Sequence, residues 1–285
     1  MSLESGERGA ALMFFLGLDI GSLSCDAVLI DGAGDVVSWS VVPTGARNSA
    51  AIERARREVL EAAGVAAEEL NATVATGYGR DCVDGRLAAV TEITCHARGI
   101  RRMLPGTDVL IDIGGQDSKA IRIDGAGSVI QFAMNDKCAA GTGRFLEAMA
   151  RTLEVGVDEL GDLDEGGAGR VTLSSMCTVF AESEVVSLIA EQTDVREIVN
   201  GLHRAIATRT RGLVKRVAPD LSGLNVSMSG GVARNSGVIR ALSAALGCDI
   251  QRPQEPDTVG ALGAALIARD RWLSRETAGS HRREP

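Results

Sequence analysis

Short apolar runs separated by glycine-containing turns fill the first part of the chain, and amphipathic stretches are placed between and after them. The runs are typical of strands in a β-meander, and the amphipathic stretches have helical spacing. Strands are predicted at Phe14–Ile20, Cys25–Ile30, Val36–Val42 and Val74–Thr76, and helices at Ser49–Gly64 and Thr91–Met103. The turn Asp19-Ile20-Gly21 ends the first strand. This stretch therefore predicts a sheet packed against helices.

The same order of elements returns after Asp108, which indicates an internal repeat. Strands are predicted at Asp108–Ile113, Lys119–Ile123 and Ser128–Ala133. In the second copy Asp112-Ile113-Gly114 corresponds to Asp19-Ile20-Gly21 of the first. The copies start at Leu16 and Leu110, so the offset is 110 − 16 = 94 residues, the size of a small domain. The sequence therefore predicts an α/β fold with two related domains facing each other.

The remaining elements continue the second copy and end in one more helix. Helices are predicted at Phe145–Leu153, Val179–Glu191, Asp194–Val217, Ser236–Leu246 and Gly260–Arg271, and strands at Leu224–Met228 and Cys248–Gln251. We assign residues 14–104 and the C-terminal helix, 257–272, to a first domain. Residues 105–256 form the second domain, and residues 1–13 and 273–285 are expected to be flexible ends.

Composition and charge narrow the function classes. Hydrophobic residues make up 45% of the 285 residues and aromatic residues only 3%, so the core is expected to consist of Ala, Val, Leu and Ile. The net charge of −8 argues against a nucleic-acid partner and against an anionic membrane surface. No apolar run has the length of a transmembrane helix. We expect a cytoplasmic protein whose thiols are reduced.

Two Asp-x-Gly turns in register, with a later Gly-Gly loop, predict a nucleotide site between the domains. Glycine turns let backbone N–H groups approach a phosphate closely. Asp19 and Asp112, at the strand ends, are candidates to hold a Mg²⁺-bound water or to orient the attacking water. The candidates for binding the phosphates are Gly21, Ser22, Ser24, Gly114, Gly115 and Gln116, and those for the adenosine end are Gly230, Gly231 and Asn235.

Two of the six cysteines differ from the others in their position. Cys138 and Cys177 each precede a predicted helix, where the N–H groups and the helix dipole stabilise an anionic ligand. One chain offers only two thiols in this setting, and a symmetric dimer would bring four together. A disulfide between Cys138 and Cys177 is the alternative. The others, Cys25, Cys82, Cys95 and Cys248, are expected to be buried small hydrophobic residues.

These motifs carry a resemblance to a known family. The phosphate loops and the Gly-Gly loop resemble the actin, sugar-kinase and heat-shock ATPase superfamily, which has a ribonuclease H-like fold. The segments at 112–117, 135–145, 177–184 and 230–235 closely resemble the activator (component A) of 2-hydroxyacyl-CoA dehydratases, in the BadF/BadG/BcrA/BcrD-type ATPase family. The resemblance covers residues 14–272, and the loop Thr76-Gly77-Tyr78-Gly79-Arg80 also matches, without an evident role.

The resemblance implies a homodimer with one [4Fe–4S] cluster, held at the interface by Cys138 and Cys177 of each subunit. It implies that Mg²⁺ and ATP or ADP bind between the domains, and that hydrolysis drives a low-potential electron to a 2-hydroxyacyl-CoA dehydratase. Reduced ferredoxin or flavodoxin would supply the electron. Two alternatives remain: an ATPase subunit of a benzoyl-CoA reductase, and a small-molecule kinase of the same fold, which would leave the cysteine motifs without a role.

Overall fold

The computed structural model describes residues 13–136, 138–164, 169–173 and 177–280. Part of each predicted flexible end, 1–12 and 281–285, lies outside these ranges. So does Lys137, which belongs to the first cysteine motif, and so do the three residues immediately before Cys177. Within the described ranges, no helix is both long enough and apolar enough to cross a membrane.

Two sheets with the same strand order organise the molecule. The strands are β1 Phe14–Ile20, β2 Ser24–Asp31, β3 Val36–Pro43, β4 Leu70–Gly77, β5 Ala88–Ala89, β6 Val109–Ile113, β7 Ser118–Ile123, β8 Val129–Asn135, β9 Val226–Ser229 and β10 Ile250–Gln251. The strand orders are β3-β2-β1-β4-β5 and β8-β7-β6-β9-β10, so each sheet has an antiparallel meander followed by parallel strands. The prediction of two related α/β halves is confirmed.

The strand register corrects the repeat by one residue. Asp19 is paired with Asp26 across β1 and β2, and Asp112 with Lys119 across β6 and β7. Equivalent positions are therefore 112 − 19 = 93 residues apart, and the predicted offset of 94 is wrong. The difference matters, because a shift of one residue moves a strand side chain to the opposite face of the sheet.

The predicted helices are all present with similar bounds except at the C-terminal end, and the short helix at Leu160–Leu163 was not predicted. The helices are α1 Asn48–Ala63, α2 Glu92–Met103, α3 Gly143–Thr152, α4 Leu160–Leu163, α5 Thr178–Ala190, α6 Val195–Val217, α7 Ser236–Leu246 and α8 Val259–Ser280, with 3-10 turns at Ala67–Glu69, Arg80–Cys82, Gly231–Arg234 and Pro256–Thr258. The last helix was predicted to end at Arg271 and continues to Ser280. Residues 272–278 contain no Gly or Pro, so no residue there interrupts a helix.

Helix α2 is the element that contacts both halves. It packs against α8, which covers β1, β2 and β4 of the first sheet. Its other side joins a buried cluster with Leu110 and Ile121 of the second sheet. A Cβ added at Gly99 would lie 1.9 Å from the carbonyl oxygen of Val259, so glycine permits the close crossing of α2 and α8. Side chains on α2 can therefore reach the space between the sheets.

Candidate functional site

A cavity of about 560 Å³ opens between the two halves, at the ends of β1, β6 and β9. Its volume lies within the range of small-molecule sites. The structure brings most of the predicted site residues to its lining: Asp19, Gly21, Ser22, Ser24, Asp112, Gly114, Gly115, Gly230, Gly231 and Asn235. Gln116 and the two cysteines, Cys138 and Cys177, do not belong to this lining.

The two predicted phosphate loops have the same geometry and lie against each other. Gly21 N donates to Ser24 O at 2.9 Å, and Gly114 N donates to Asp117 O at 3.0 Å. A Cβ added at Gly115 would lie 2.8 Å from the Oγ of Ser22. The absence of a side chain at Gly115 therefore allows the loops to approach each other.

The Gly-Gly loop follows β9 and has a strict requirement for glycine. Gly230 has a φ of +83°, and a Cβ there would lie 2.4 Å from the carbonyl oxygen of Ile113. Asn235 caps helix α7, because its Oδ1 accepts from Val238 N at 3.0 Å. Its Nδ2 lies 3.2 Å from Nε2 of His203. Both ends of the Asn235 amide therefore have partners within the protein, and so does its backbone, whose N–H donates to Val232 O and whose carbonyl accepts from Ile239 N.

Asp112 is an ion-paired carboxylate. Its Oδ1 accepts from the Ser229 hydroxyl at 2.7 Å and lies 3.3 Å from Nε2 of His96, while its Oδ2 lies 3.1 Å from Nζ of Lys119. Burial alone would raise the pKa of Asp112, but His96 and Lys119 outweigh burial and hold this pKa well below its usual value. Asp112 is therefore ionised, with both oxygens already bonded.

Lys119 is the functional residue that sequence reasoning missed. Its ammonium group is buried and lies 2.8 Å from Glu92, 2.8 Å from Asp117 and 3.1 Å from Asp112. Burial would lower the pKa of Lys119, but the three carboxylates raise this pKa well above its usual value. The available signal was the repeat in its correct register, which shows a lysine where the first copy has Asp26.

His96 connects helix α2 to the same network. Its Nδ1 lies 3.0 Å from the backbone oxygen of Glu92, and its Nε2 faces Asp112. Burial would lower the pKa of His96, but the Asp112 carboxylate outweighs burial and raises this pKa to about 9. His96 is therefore protonated at neutral pH and supplies a second buried positive charge.

Asp19 and Asp26 differ from Asp112 because they are buried with no described cation bonded to them. Burial raises the pKa of Asp19 to about 6 and that of Asp26 well above its usual value. Ser24 Oγ donates to Asp26 Oδ2 at 3.2 Å, while the buried Asp26 Oδ1 has no hydrogen-bond partner. Among the described residues neither aspartate forms an ion pair. The sequence predicted equal roles for Asp19 and Asp112, but the structure gives them different surroundings.

The loop from Thr76 to Arg80 supports the strand end that carries Asp19. Gly79 N donates to Ile20 O at 3.1 Å, and Gly77 has a φ of +85°. A Cβ at Gly77 would lie 2.6 Å from Oδ1 of Asp19. Tyr78 lines the cavity and is 55% exposed. The motif therefore shapes the first half of the cavity.

The two candidate ligand cysteines are exposed, but only one begins a helix. Cys177 is the residue that precedes helix α5. Cys138 lies upstream of a turn in which Thr142 N donates to Ala139 O at 3.1 Å, and helix α3 begins only at Gly143. The predicted turn therefore separates Cys138 from its helix, whereas Cys177 directly precedes one.

The other cysteines correct a second expectation. Cys25 and Cys95 are buried as predicted, whereas Cys82 is exposed and Cys248 is half-buried. Cys82 lies in a 3-10 turn next to the exposed Tyr78 loop, and the neighbouring Val83 is the residue that enters the core. The six cysteines, all within the described ranges, form no disulfide. Among the described residues, no group of three or more His, Cys, Asp or Glu side chains could hold a metal ion.

The second phosphate loop is bonded directly to the segment that follows Cys138. Gly143 N donates to Gly114 O and Arg144 N to Gly115 O, both at 2.9 Å. The Thr142 hydroxyl lies 2.9 Å from Gly115 O and 2.6 Å from Ala139 O, so its one proton is shared between these two carbonyls. Helix α3 then packs against α5, the helix that begins after Cys177. A movement of the loop would therefore be transmitted to both cysteine segments.

Helix α5 presents an apolar face to solvent. Val179 is 66% exposed and Phe180 68%, and Val186 and Ile189 continue the exposed apolar residues along the helix. Both valines and Phe180 belong to the same element as Cys177, which caps it. Exposed apolar side chains grouped on one helix are typical of an interaction surface.

Comparisons with known proteins agree over nearly the whole chain. The model of the BadF/BadG/BcrA/BcrD ATPase family matches residues 16–268. The activator of lactoyl-CoA dehydratase from Anaerotignum propionicum is 46% identical over 256 residues, which are 90% of this chain and 97% of that protein. The solved structure of the activator of the 2-hydroxyisocaproyl-CoA dehydratase from Clostridium difficile with bound ADPNP is 41% identical, with a TM-score of 0.87, and the match covers 93% of this chain and 98% of that one.

A more distant likeness concerns the fold alone. The ROK family glucokinase from Streptomyces griseus is 17% identical, with a TM-score of 0.53, over 90% of this chain and 99% of that one. The predicted actin and sugar-kinase type of fold is thereby confirmed. At this identity the likeness gives no support to kinase activity.

Proposed function

The chain belongs to the BadF/BadG/BcrA/BcrD ATPase family, and on that premise we propose that it is an ATP-dependent activator of a 2-hydroxyacyl-CoA dehydratase. In this proposal a low-potential electron passes from a [4Fe–4S] cluster, shared across a homodimer, to the dehydratase, and ATP hydrolysis drives the transfer. The family membership confirms the resemblance inferred from the motifs. The names of the relatives support a dehydratase as the partner.

The cavity supports ATP or ADP as its ligand. Glycine-rich backbone from Gly21 and Gly114 faces the space from the two halves, and Gly230 from the third loop. We assign the phosphates to the first two loops, where backbone N–H groups can bind them without interference from a Cβ. The adenosine end belongs to the Gly230–Gly231 loop. The relative solved with ADPNP supports this assignment.

The donor set on the first half fits Mg²⁺. The ion takes oxygen ligands and is held in nucleotide sites by one or two carboxylates together with phosphates and water. Asp19 and Asp26 are cavity-lining carboxylates without ion pairs, and the unpartnered Oδ1 of Asp26 supplies a buried acceptor. When bound, Mg²⁺ supplies positive charge that stabilises the transferred phosphoryl group. Asp19 is then placed to orient a water molecule at the strand end.

The cysteines fit a shared iron–sulfur cluster. Cys138 and Cys177 are exposed thiols on segments that are linked through α3 and α5, and one chain supplies two of the four thiolates needed. The exposed apolar residues Val179 and Phe180 lie directly after Cys177 and support burial of this surface by a second copy. When bound, the cluster supplies a one-electron redox centre. Reduced ferredoxin or flavodoxin is the proposed donor, and the cytoplasm the proposed compartment.

Coupling between the two sites is the observation that carries the proposal furthest. The carbonyl oxygens of Gly114 and Gly115 accept hydrogen bonds from residues 142–144, which begin helix α3. A change at the phosphates therefore shifts the end of the Cys138 segment through backbone bonds. An ATPase whose phosphate loop is bonded to a redox segment is suited to drive electron transfer by hydrolysis.

The test compares iron and sulfide content in anaerobically prepared protein and its cysteine variants. We expect about four iron per dimer, lost in Cys138→Ser and in Cys177→Ser, because a [4Fe–4S] cluster needs all four thiolates. Cys82→Ser is the matched control, since Cys82 is also an exposed thiol, and it should keep its iron. Full iron content in both Cys138→Ser and Cys177→Ser would refute the shared cluster.

A further inference from the structure

The two halves of the cavity are copies of one another, but they differ at one position that controls charge. In the first half, Asp26 stands directly opposite Asp19 on the neighbouring strand. In the second half, Lys119 stands directly opposite Asp112. Opposite charges at such a cross-strand pair stabilise a sheet, whereas like charges destabilise it. The second half therefore contains its own counter-ion, and the first half does not.

The two cross-strand pairs also differ in the number of hydrogen-bond and ion-pair partners around them. Lys119 has three N–H donors and three carboxylate partners, Asp112, Asp117 and Glu92, so its ammonium group is fully bonded. Asp26 is only 6% exposed, and its Oδ1 has no partner. No described cation pairs with either Asp19 or Asp26.

The nearby cations form their ion pairs with other carboxylates, and His96 and Lys119 act on Asp19 only at longer range. Arg234, across the cavity, is already bonded to Asp257 and Glu255. His96, from helix α2, is directed to Asp112. Two buried carboxylates that face each other without a cation need an external one to be ionised together.

We propose that Lys119 is a built-in cation that takes the place of a second metal ion, so that the single divalent cation of this site binds at Asp19 and Asp26. Lys119 has no partner outside the three carboxylates, so it acts as a positioning residue for the second phosphate loop. Asp26 becomes a further residue of the cation site. The inference rests on the proposed nucleotide-binding function and deepens it.

The experiment measures Mn²⁺ binding by electron paramagnetic resonance, with and without ADP. The wild-type chain should bind about one Mn²⁺ in the cavity, held by the two carboxylates together with phosphate and water. Lys119→Gln removes the ammonium group and leaves three carboxylates without a cation, so a second Mn²⁺ should bind. Lys119→Arg keeps the charge and should bind only one. Lys215→Gln, at an exposed lysine on helix α6, is the matched control and should behave as wild type.

The proposed cation site in the first half is tested by substitutions of Asp26. Asp26→Asn should lower Mn²⁺ affinity by about ten- to a hundredfold, the range found when a supporting group of a metal site is lost. Asp26→Lys gives the first half the cation of the second, and Mn²⁺ binding in the cavity should be lost. This variant decides the question even if Lys119→Gln does not fold, which circular dichroism would show.

Several results would overturn the inference. These are two Mn²⁺ in the wild type, one in folded Lys119→Gln, or unchanged Mn²⁺ binding in Asp26→Lys. Calorimetry of ADP binding on the same samples distinguishes a failure of the proposed function from a failure of this inference. A wild-type chain that does not bind ADP contradicts the proposed function, whereas normal ADP binding with a different Mn²⁺ count contradicts only this inference.

Discussion

At the scale of single residues, the site depends on two aspartates that occupy equivalent strand ends and have opposite electrostatic surroundings. Asp112 is bonded to Lys119, His96 and Ser229, so it is ionised and held in place. Asp19 is buried without an ion pair, and its pKa is raised to about 6. The duplicated sequence therefore encodes a fixed half and a half that is available to a cation and a water molecule.

The His96–Asp112 pair predicts a fall in stability at alkaline pH. The pKa of His96 rises from 6.5 to about 9 on folding, so its contribution is complete below pH 6.5 and is lost as the pH rises through 9. The free energy of unfolding should fall by up to about 3 kcal/mol over this window. Asp19 adds no slope there, because its folded pKa of about 6 lies below the window.

Urea unfolding at several pH values, in buffer with EDTA, checks this prediction. The charged groups that face His96 are Asp112, Asp19 and Lys119, and the last two oppose each other in their effect on its charge. His96→Gln should remove most of the pH dependence between 6.5 and 9, because glutamine does not titrate. An equal slope in His96→Gln and in the wild type would contradict the assignment.

Gly260, which lies against the Asp19 carboxylate in space, gives a second prediction at this scale. A Cβ at Gly260 would lie 2.0 Å from Oδ2 of Asp19 and 2.7 Å from the His96 ring. Gly260→Ala should therefore displace the carboxylate and lower the rate of ATP hydrolysis by about tenfold or more, the effect of misplacing a group that orients the attacking water. Steady-state hydrolysis at saturating ATP is the measurement.

Gly212→Ala is the control for that change. Gly212 also lies inside a helix, α6, and a Cβ there would meet nothing within 4 Å. Alanine at such a position favours the helix by up to about 1 kcal/mol, so this variant should be as active as wild type and slightly more stable. Equal hydrolysis rates in the Gly260 and Gly212 variants would show that the Asp19 position does not limit the reaction.

At the scale of elements, helix α2 links the two halves of the molecule, and helix α3 links the second phosphate loop to the cysteine segments. Helix α2 brings Glu92 and His96 from the side of the first sheet to the second phosphate loop. Helix α3 begins on that loop and packs against α5. Nucleotide state and cysteine geometry are therefore linked by rigid elements and not by a long flexible segment.

Most of these elements could be predicted because their signals are local. Glycine turns and apolar alternation defined the strands, and the Asp-x-Gly ends identified the cavity, since strand ends of related halves converge. The roles of Lys119 and Asp26 could not be predicted in this way. The partners of Lys119 come from β6, the following loop and α2, so only tertiary packing brings them together.

The bond between the loop and α3 predicts that ATP hydrolysis and electron transfer can be separated. Thr142→Val removes the hydroxyl whose one proton is shared between Gly115 O and Ala139 O, at a cost to stability of about 1 kcal/mol, and keeps the side-chain shape. We expect normal iron content and ATP hydrolysis within about twofold of wild type, but dehydratase activation reduced by about tenfold, since the backbone bonds alone must carry the coupling.

Thr208→Val is the matched control for that variant. The Thr208 hydroxyl donates only within helix α6, to Arg204 O at 2.9 Å, and the side chain is exposed. Hydrolysis and activation should both remain at the wild-type level. If Thr142→Val lowers hydrolysis and activation in parallel, Thr142 acts on the nucleotide site and the proposed coupling path is wrong.

At the scale of the whole molecule, the proposed iron–sulfur cluster would need a second copy of the chain. Two exposed thiols cannot complete a [4Fe–4S] cluster alone, and the apolar residues of α5 next to Cys177 are exposed in the single chain. A two-fold axis near the cysteines would satisfy both requirements at once, because it supplies two more thiolates and covers Val179 and Phe180. Cluster and dimer should therefore be gained and lost together.

This dependence can be tested without changing a cysteine. Val179→Asp places a charge on the exposed apolar face, where burial against a partner would leave it unpaired, so the dimer should weaken by about 2 kcal/mol or more. Val37→Asp is the matched control, since Val37 is also an exposed valine, on β3 of the first half, and both variants should have the fold of the wild type. Light scattering should find Val179→Asp largely monomeric and iron analysis should find it depleted, while Val37→Asp keeps both dimer and iron. A monomeric variant with a full complement of iron would place the cluster within one chain and would contradict the shared site.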